Sequence, residues 1–66
     1  MRLTVNGEQA EHVDGLTVSA LLEELKLDAR RVAVERNKTI VRRVHFDRTD
    51  LADGDELEIV TLVGGG

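Results

Sequence analysis

The chain has no cysteine, proline, tryptophan or tyrosine among its 66 residues, and one phenylalanine, Phe46. Without cysteine there is no disulfide, which is compatible with a cytoplasmic location, the expected one. The chain also has no thiol on which to carry a persulfide or thioester. Zinc sites that rely on thiolates are excluded as well. The only histidines are His12 and His45, and His45 has Asp47 and Asp50 close by in sequence. Such a donor set is too sparse for a metal centre, so no metal is expected. The lack of proline rules out a cis-proline step. One aromatic among Leu, Val and Ala implies a small aliphatic core without a large internal ligand cavity, whereas small-molecule sites usually occupy about 300 Å3 or more. No run of about 18 apolar residues is present, so no membrane-spanning helix is expected. The start, Met1-Arg2-Leu3-Thr4-Val5, lacks the apolar stretch of a signal peptide. Basic residues are also in short supply, 9 against 13 acids for a net charge of -4. That balance argues against nucleic acid as a partner. Arg42, Arg43 and Arg48, and the pair Arg30-Arg31, read as solvated surface.

What is present is a compact succession of short elements. A chain of this length makes one domain that buries about 60% of its unfolded surface. Leu3 and Val5 alternate with Arg2, Thr4 and Asn6, the period of a half-buried strand. Asn6-Gly7 follows, a hairpin signal because both residues accept positive φ. Glu8 to Val13 reads as the returning edge strand, closed by Asp14-Gly15. Thr17 is placed to cap a helix, with Leu16 and Leu21 as a hydrophobic staple. Val18, Leu21, Leu22 and Leu25 recur as one apolar stripe, and Glu23, Glu24 and Lys26 fall on the wet side. Val32 and Val34 alternate with Ala33 and Glu35 in a third strand. Arg36-Asn37-Lys38 reads as a turn, and Thr39, Ile40 and Val41 as a fourth strand. From Arg42 to Ala52 the pattern is irregular, with Val44, Phe46 and Leu51 as expected core anchors and room for a one-turn helix. Asp53-Gly54 is a turn, and Glu56 to Leu62 is the strongest strand.

The order is β-β-α-β-β-β, an α+β arrangement in which one helix covers one face of a mixed sheet of about five strands. On the last strand Leu57, Ile59, Thr61 and Val63 fit the helix side. Val60 and Leu62 then fall on the open face, where exposed aliphatics suggest a docking patch that Val63 extends. The domain is expected to span 1–62, followed by a flexible glycine tail over 63–66. Val63-Gly64-Gly65-Gly66 reaches about 13 Å when extended, at roughly 3.3–3.6 Å per residue. A glycine end packs no side chain, but it can thread a narrow channel and present the Gly66 α-carboxylate to another protein's active site.

Chemistry elsewhere in the chain is thin. Glu23-Glu24 lies on the outer helix face, and Asp53-Gly54-Asp55 lies in a turn, neither beside an evident pocket for acid–base work. Ser19 has no surrounding triad pattern. Nothing distinguishes Lys26 or Lys38 as isopeptide acceptors. The chain has no GxxxxGK[ST] phosphate loop, so nucleotide chemistry at the tail would be a partner's. At neutral pH an α-carboxyl with a pKa of about 3.3–3.7 is an anion and a poor electrophile, so it needs activation before acyl transfer.

The element order, the Asn6-Gly7 hairpin, the segment Val34-Glu35-Arg36-Asn37-Lys38-Thr39-Ile40-Val41, Asp53-Gly54-Asp55 before the last strand and the terminal glycines together resemble one family. It is the β-grasp, ubiquitin-like sulfur carriers of the ThiS/MoaD type, and within them the thiamine-biosynthesis branch. The resemblance covers essentially the whole chain. It implies a protein co-substrate rather than an enzyme, with no cofactor bound by this chain. A ThiF-type adenylyltransferase would use ATP and Mg to adenylate the Gly66 carboxylate. Sulfur from a cysteine-desulfurase persulfide would replace AMP to leave a thiocarboxylate, and ThiG thiazole synthase would receive it. Gly64, Gly65 and Gly66 would occupy the partner's channel, with Val60, Leu62 and Val63 docking beside it. The free protein is expected to be a monomer without membrane or nucleic-acid partners. Carriers serving molybdopterin, tRNA thiolation or cysteine synthesis share this fold and tail. So does a ubiquitin-like modifier that ends on a lysine amine. A β-grasp binding module with an inert tail is the alternative from another class.

Overall fold

A computed structural model of the chain describes residues 1–62. Five strands, β1 (Arg2–Val5), β2 (Glu8–Glu11), β3 (Val32–Arg36), β4 (Thr39–Val41) and β5 (Glu56–Thr61), form one sheet in the order β2-β1-β5-β3-β4. The last strand is therefore central. It runs parallel to β1, with Val5 beside Leu57, and antiparallel to β3, with Val34 beside Ile59. The α+β, β-grasp arrangement expected from the sequence is the one observed.

One helix, α1 (Val18–Glu24), covers one face. With seven residues it would be marginal in water on its own, so packing must hold it. Val18, Leu21 and Leu22 are buried against Leu3, Val34, Leu57 and Ile59, with Phe46 and Leu51 closing the core. Thr17 caps the helix as expected, its Oγ1 accepting the Ala20 N–H at 3.1 Å. The irregular stretch after β4 completes that end. Val18 N donates to Thr49 O and Ser19 N to Phe46 O, both at 3.0 Å, which satisfies two helix-end donors that have no partner inside the helix. Among the described residues no helix is long and apolar enough to cross a membrane.

Several expectations need correction. Strand β2 ends at Glu11, and Val13 is exposed. Leu25 sits at the C-cap of α1 and is exposed, because the helix stops one residue before it. Val44 is exposed too. It lies in a one-turn 3-10 helix, Arg43–His45, whose only anchor into the core is the following Phe46. Arg36 belongs to β3, and the turn is Asn37-Lys38 alone. Thr61 is exposed although it has the parity of Ile59. The register of β1 stops at Leu57, so at Thr61 β5 has a neighbour only on the β3 side. Another one-turn 3-10 helix, Ala29–Arg31, the first of the two in chain order, had no counterpart in the sequence pattern.

Candidate functional site

The candidate site is the C-terminal end of β5, the strand that leads into the glycines. Its alternation places Leu57 and Ile59 in the core and Glu56, Glu58 and Val60 on the open face. Val60 and Leu62 are 58% and 54% exposed, an accessible aliphatic pair beside the point where the chain leaves the sheet. Val63, Gly64, Gly65 and Gly66, the other residues singled out from the sequence, lie outside the described residues.

The strand end is held from both sides. On one side Leu62 N donates to Arg31 O at 2.7 Å. On the other the side chain of Asn6 takes the place of a missing strand: its Oδ1 accepts Ile59 N at 2.8 Å and its Nδ2 donates to Ile59 O at 3.1 Å. The sequence identified Asn6 only as a turn residue, and its φ of 50° agrees with that role. Its second role depends on which strand lies next to the turn, and no local pattern reveals that.

The open face is acidic next to the aliphatic pair. Glu35 of β3 stands directly opposite Glu58 of β5, and Glu56 follows on the same side. Like charges facing one another across strands are unfavourable. Among the described residues none of the three is ion-paired. A partner bringing cations around an apolar contact would relieve this repulsion.

At the other end of β5, Asp55 is buried and fully engaged. It accepts from Arg36 Nε at 2.8 Å, Asn37 Nδ2 at 3.0 Å and Ala52 N at 2.8 Å. Burial alone would raise its pKa, but these three donors, led by the Ala52 N–H, outweigh it and hold the carboxyl below its ordinary value. Asn37 also accepts Glu56 N through Oδ1 at 2.9 Å, tying the β3–β4 turn to the start of β5. Asp55 is thus a structural group. Asp28 is lowered as well, first by the Arg30 backbone N–H it accepts and then by the Arg30 side chain, in the cap of the first 3-10 helix. His12 lies beside Glu24, with Nδ1 3.2 Å from Oε1, joining the end of β2 to α1. Among the described residues no three His, Asp or Glu gather as a metal site. Among the described residues, the side chains of Lys26, Lys38 and Ser19 form no ion pair.

Comparisons with known proteins agree with this geometry. A family model described as the ThiS family matches residues 3–66. The sulfur carrier protein ThiS of Bacillus subtilis is 38% identical over 65 residues, covering 97% of this chain and 98% of that protein. A thiazole synthase of Paramagnetospirillum magneticum is 48% identical over all 66 residues, and this chain spans only 20% of that protein's length. The crystal structure of the thiamine biosynthesis protein ThiS from Geobacter metallireducens superposes with a TM-score of 0.86 at 40% identity, covering both chains completely. A match along nearly the whole length, in both sequence and fold, means that the chain belongs to the ThiS family.

Proposed function

We propose that this chain is the sulfur carrier of thiamine biosynthesis, with the Gly66 α-carboxylate as the group that is modified. The observation that carries the reading is the near end-to-end match to a sulfur carrier protein ThiS. The carboxylate attacks the α-phosphorus of ATP on a ThiF-type adenylyltransferase, releasing pyrophosphate and forming an acyl-adenylate. A persulfide derived from a cysteine desulfurase attacks the acyl carbon and AMP leaves. A thiol then cleaves the S–S bond, leaving a thiocarboxylate on Gly66. ATP and Mg belong to the activating enzyme, and this chain supplies the acyl group and its delivery. Glycine at the acceptor has no Cβ to obstruct a narrow channel or shield the carbonyl.

Thiazole synthase is the proposed recipient. A segment 48% identical to this whole chain occurs inside a polypeptide named thiazole synthase. A segment like this chain within a polypeptide of that name supports an encounter between this carrier and a thiazole synthase, because a tether raises the effective concentration of partners that act together. Val60 and Leu62 are proposed to dock beside the channel that receives the glycines.

The test is the intact mass of the purified protein after incubation with ATP, its adenylyltransferase and a sulfur source. Exchange of one terminal oxygen for sulfur is expected, and it should disappear when Gly66 is deleted or when Gly65 is replaced (Gly65→Val), with the folded spectrum unchanged. An unaltered mass with a demonstrably active partner enzyme would overturn the reading.

A further inference from the structure

Far from the exit of β5, the structure forms an open groove of about 530 Å3 between β4 and the second 3-10 helix. Arg36, Thr39, Ile40, Val41, Arg42 and His45 line it, and no carboxylate does among the described residues. In a chain with a net charge of -4, a cavity walled by two guanidiniums and an imidazole is a local reversal of sign. Arg43, Arg48, Asp47 and Asp50 lie close in sequence but do not line it.

Two of the lining residues are anchored. Arg36 is anchored through Nε by buried Asp55 at 2.8 Å, which leaves its two Nη groups without hydrogen-bond partners among the described residues. The His45 backbone is fixed by Thr49, whose Oγ1 donates to His45 O at 2.8 Å, and by the adjoining core residue Phe46. Arg42 and His45 form no ion pair among the described residues. Because Asp55 balances Arg36, the uncompensated charge in the groove is that of Arg42. Arg36 contributes oriented N–H donors in a planar fork, a geometry suited to oxyanions.

We propose that this groove binds the phosphate group of a small organic molecule. Donors from Arg36, Arg42, His45 and the Thr39 hydroxyl outnumber the two oxygens of a carboxylate, whereas a phosphate can accept from all of them. Val41, partly buried, gives an apolar wall for the organic part. The site is separate from tail docking. Arg36 is level with Leu57, four strand residues or roughly 13 Å from Thr61, and β3 separates the β4 edge that carries the groove from β5.

The test is a nitrogen-15 amide titration of the full chain with inorganic phosphate, against sodium chloride at matched ionic strength and against acetate. Saturable shifts confined to the amides of Arg36, Thr39, Ile40, Arg42 and His45 are expected. Arg42→Ala should weaken binding about tenfold, equivalent to roughly 1.4 kcal/mol. Arg48→Ala removes a nearby charge outside the groove and should leave the affinity unchanged. Equal shifts with chloride, an equal loss in both variants, or saturation by acetate at the same concentrations would overturn the proposal.

Discussion

Asp55 shows how much one side chain can organise in a domain this small. Its three hydrogen bonds join the Ala52 turn, the end of β3 and the β3–β4 turn to the start of the central strand. Removing it strands the Arg36 guanidinium and two N–H donors. Asp55→Ala is expected to lower stability by about 2–4 kcal/mol, measured from the urea midpoint. The pH dependence follows from the direction of its shift. The folded-state pKa lies below the ordinary carboxylate value. Its contribution is therefore complete above the unfolded value of about 3.9 and is lost as the pH falls through the lower folded value. The wild type should lose stability on acidification below about pH 4 more steeply than Asp55→Ala does. None of this was legible in the sequence. Asp53-Gly54-Asp55 announces a turn, and Asn6-Gly7 announces a hairpin. The second role of each polar residue depends on a strand some 19 to 53 positions away in the chain.

Elements were more legible than contacts, and their starts more legible than their ends. Thr17 marked the beginning of α1 because a hydroxyl before an apolar stripe has a local purpose. The end carried no such mark. Lys26 adopts φ 59° just beyond the Leu25 cap, with Leu27 N donating to Leu22 O at 2.9 Å and Lys26 N to Glu23 O at 3.0 Å. This is the left-handed helix terminator that glycine usually supplies. With lysine in that position the apolar period ran on to Leu25 unchecked, so the stripe was read one residue too far. Lys26→Gly is expected to raise stability by about 0.5–1 kcal/mol, relief of the left-handed strain outweighing the added freedom of the unfolded chain. Chemical denaturation of the two proteins decides it, and a loss of stability would mean that the lysine side chain contributes more than its backbone costs. Strands β1, β3 and β5 were read from alternation, and their interiors held. At the ends, β2 and Thr61 departed from the pattern because alternation records which way a side chain points and not whether a neighbour is there to cover it.

At the scale of the molecule, charge is laid out along the sheet. The aliphatic pair Val60 and Leu62 marks the exit end, Glu35, Glu56 and Glu58 lie behind it on the open face, and the basic groove lies along the β4 edge of the sheet. The parallel neighbour that makes β5 central could not be deduced from periodicity, since β1 and β5 are joined only through the whole intervening chain. Two surface features of different physics on one face should affect association in different ways. If Leu62 docks as proposed, Leu62→Asp removes apolar burial of roughly 1.5–3 kcal/mol, and the proposed complex with the activating enzyme should weaken about tenfold or more. Most of that loss should appear as faster dissociation. Glu58→Lys changes the field that the partner meets at a distance. It should slow association and flatten the dependence of the on-rate on ionic strength, with a smaller change in the dissociation rate. Stopped-flow binding at several salt concentrations separates the two. If Leu62→Asp binds as the wild type does, the exit end is not the docking surface. If Glu58→Lys keeps the wild-type salt slope, the acidic residues face away from the partner and the repulsion between Glu35 and Glu58 is not relieved by docking.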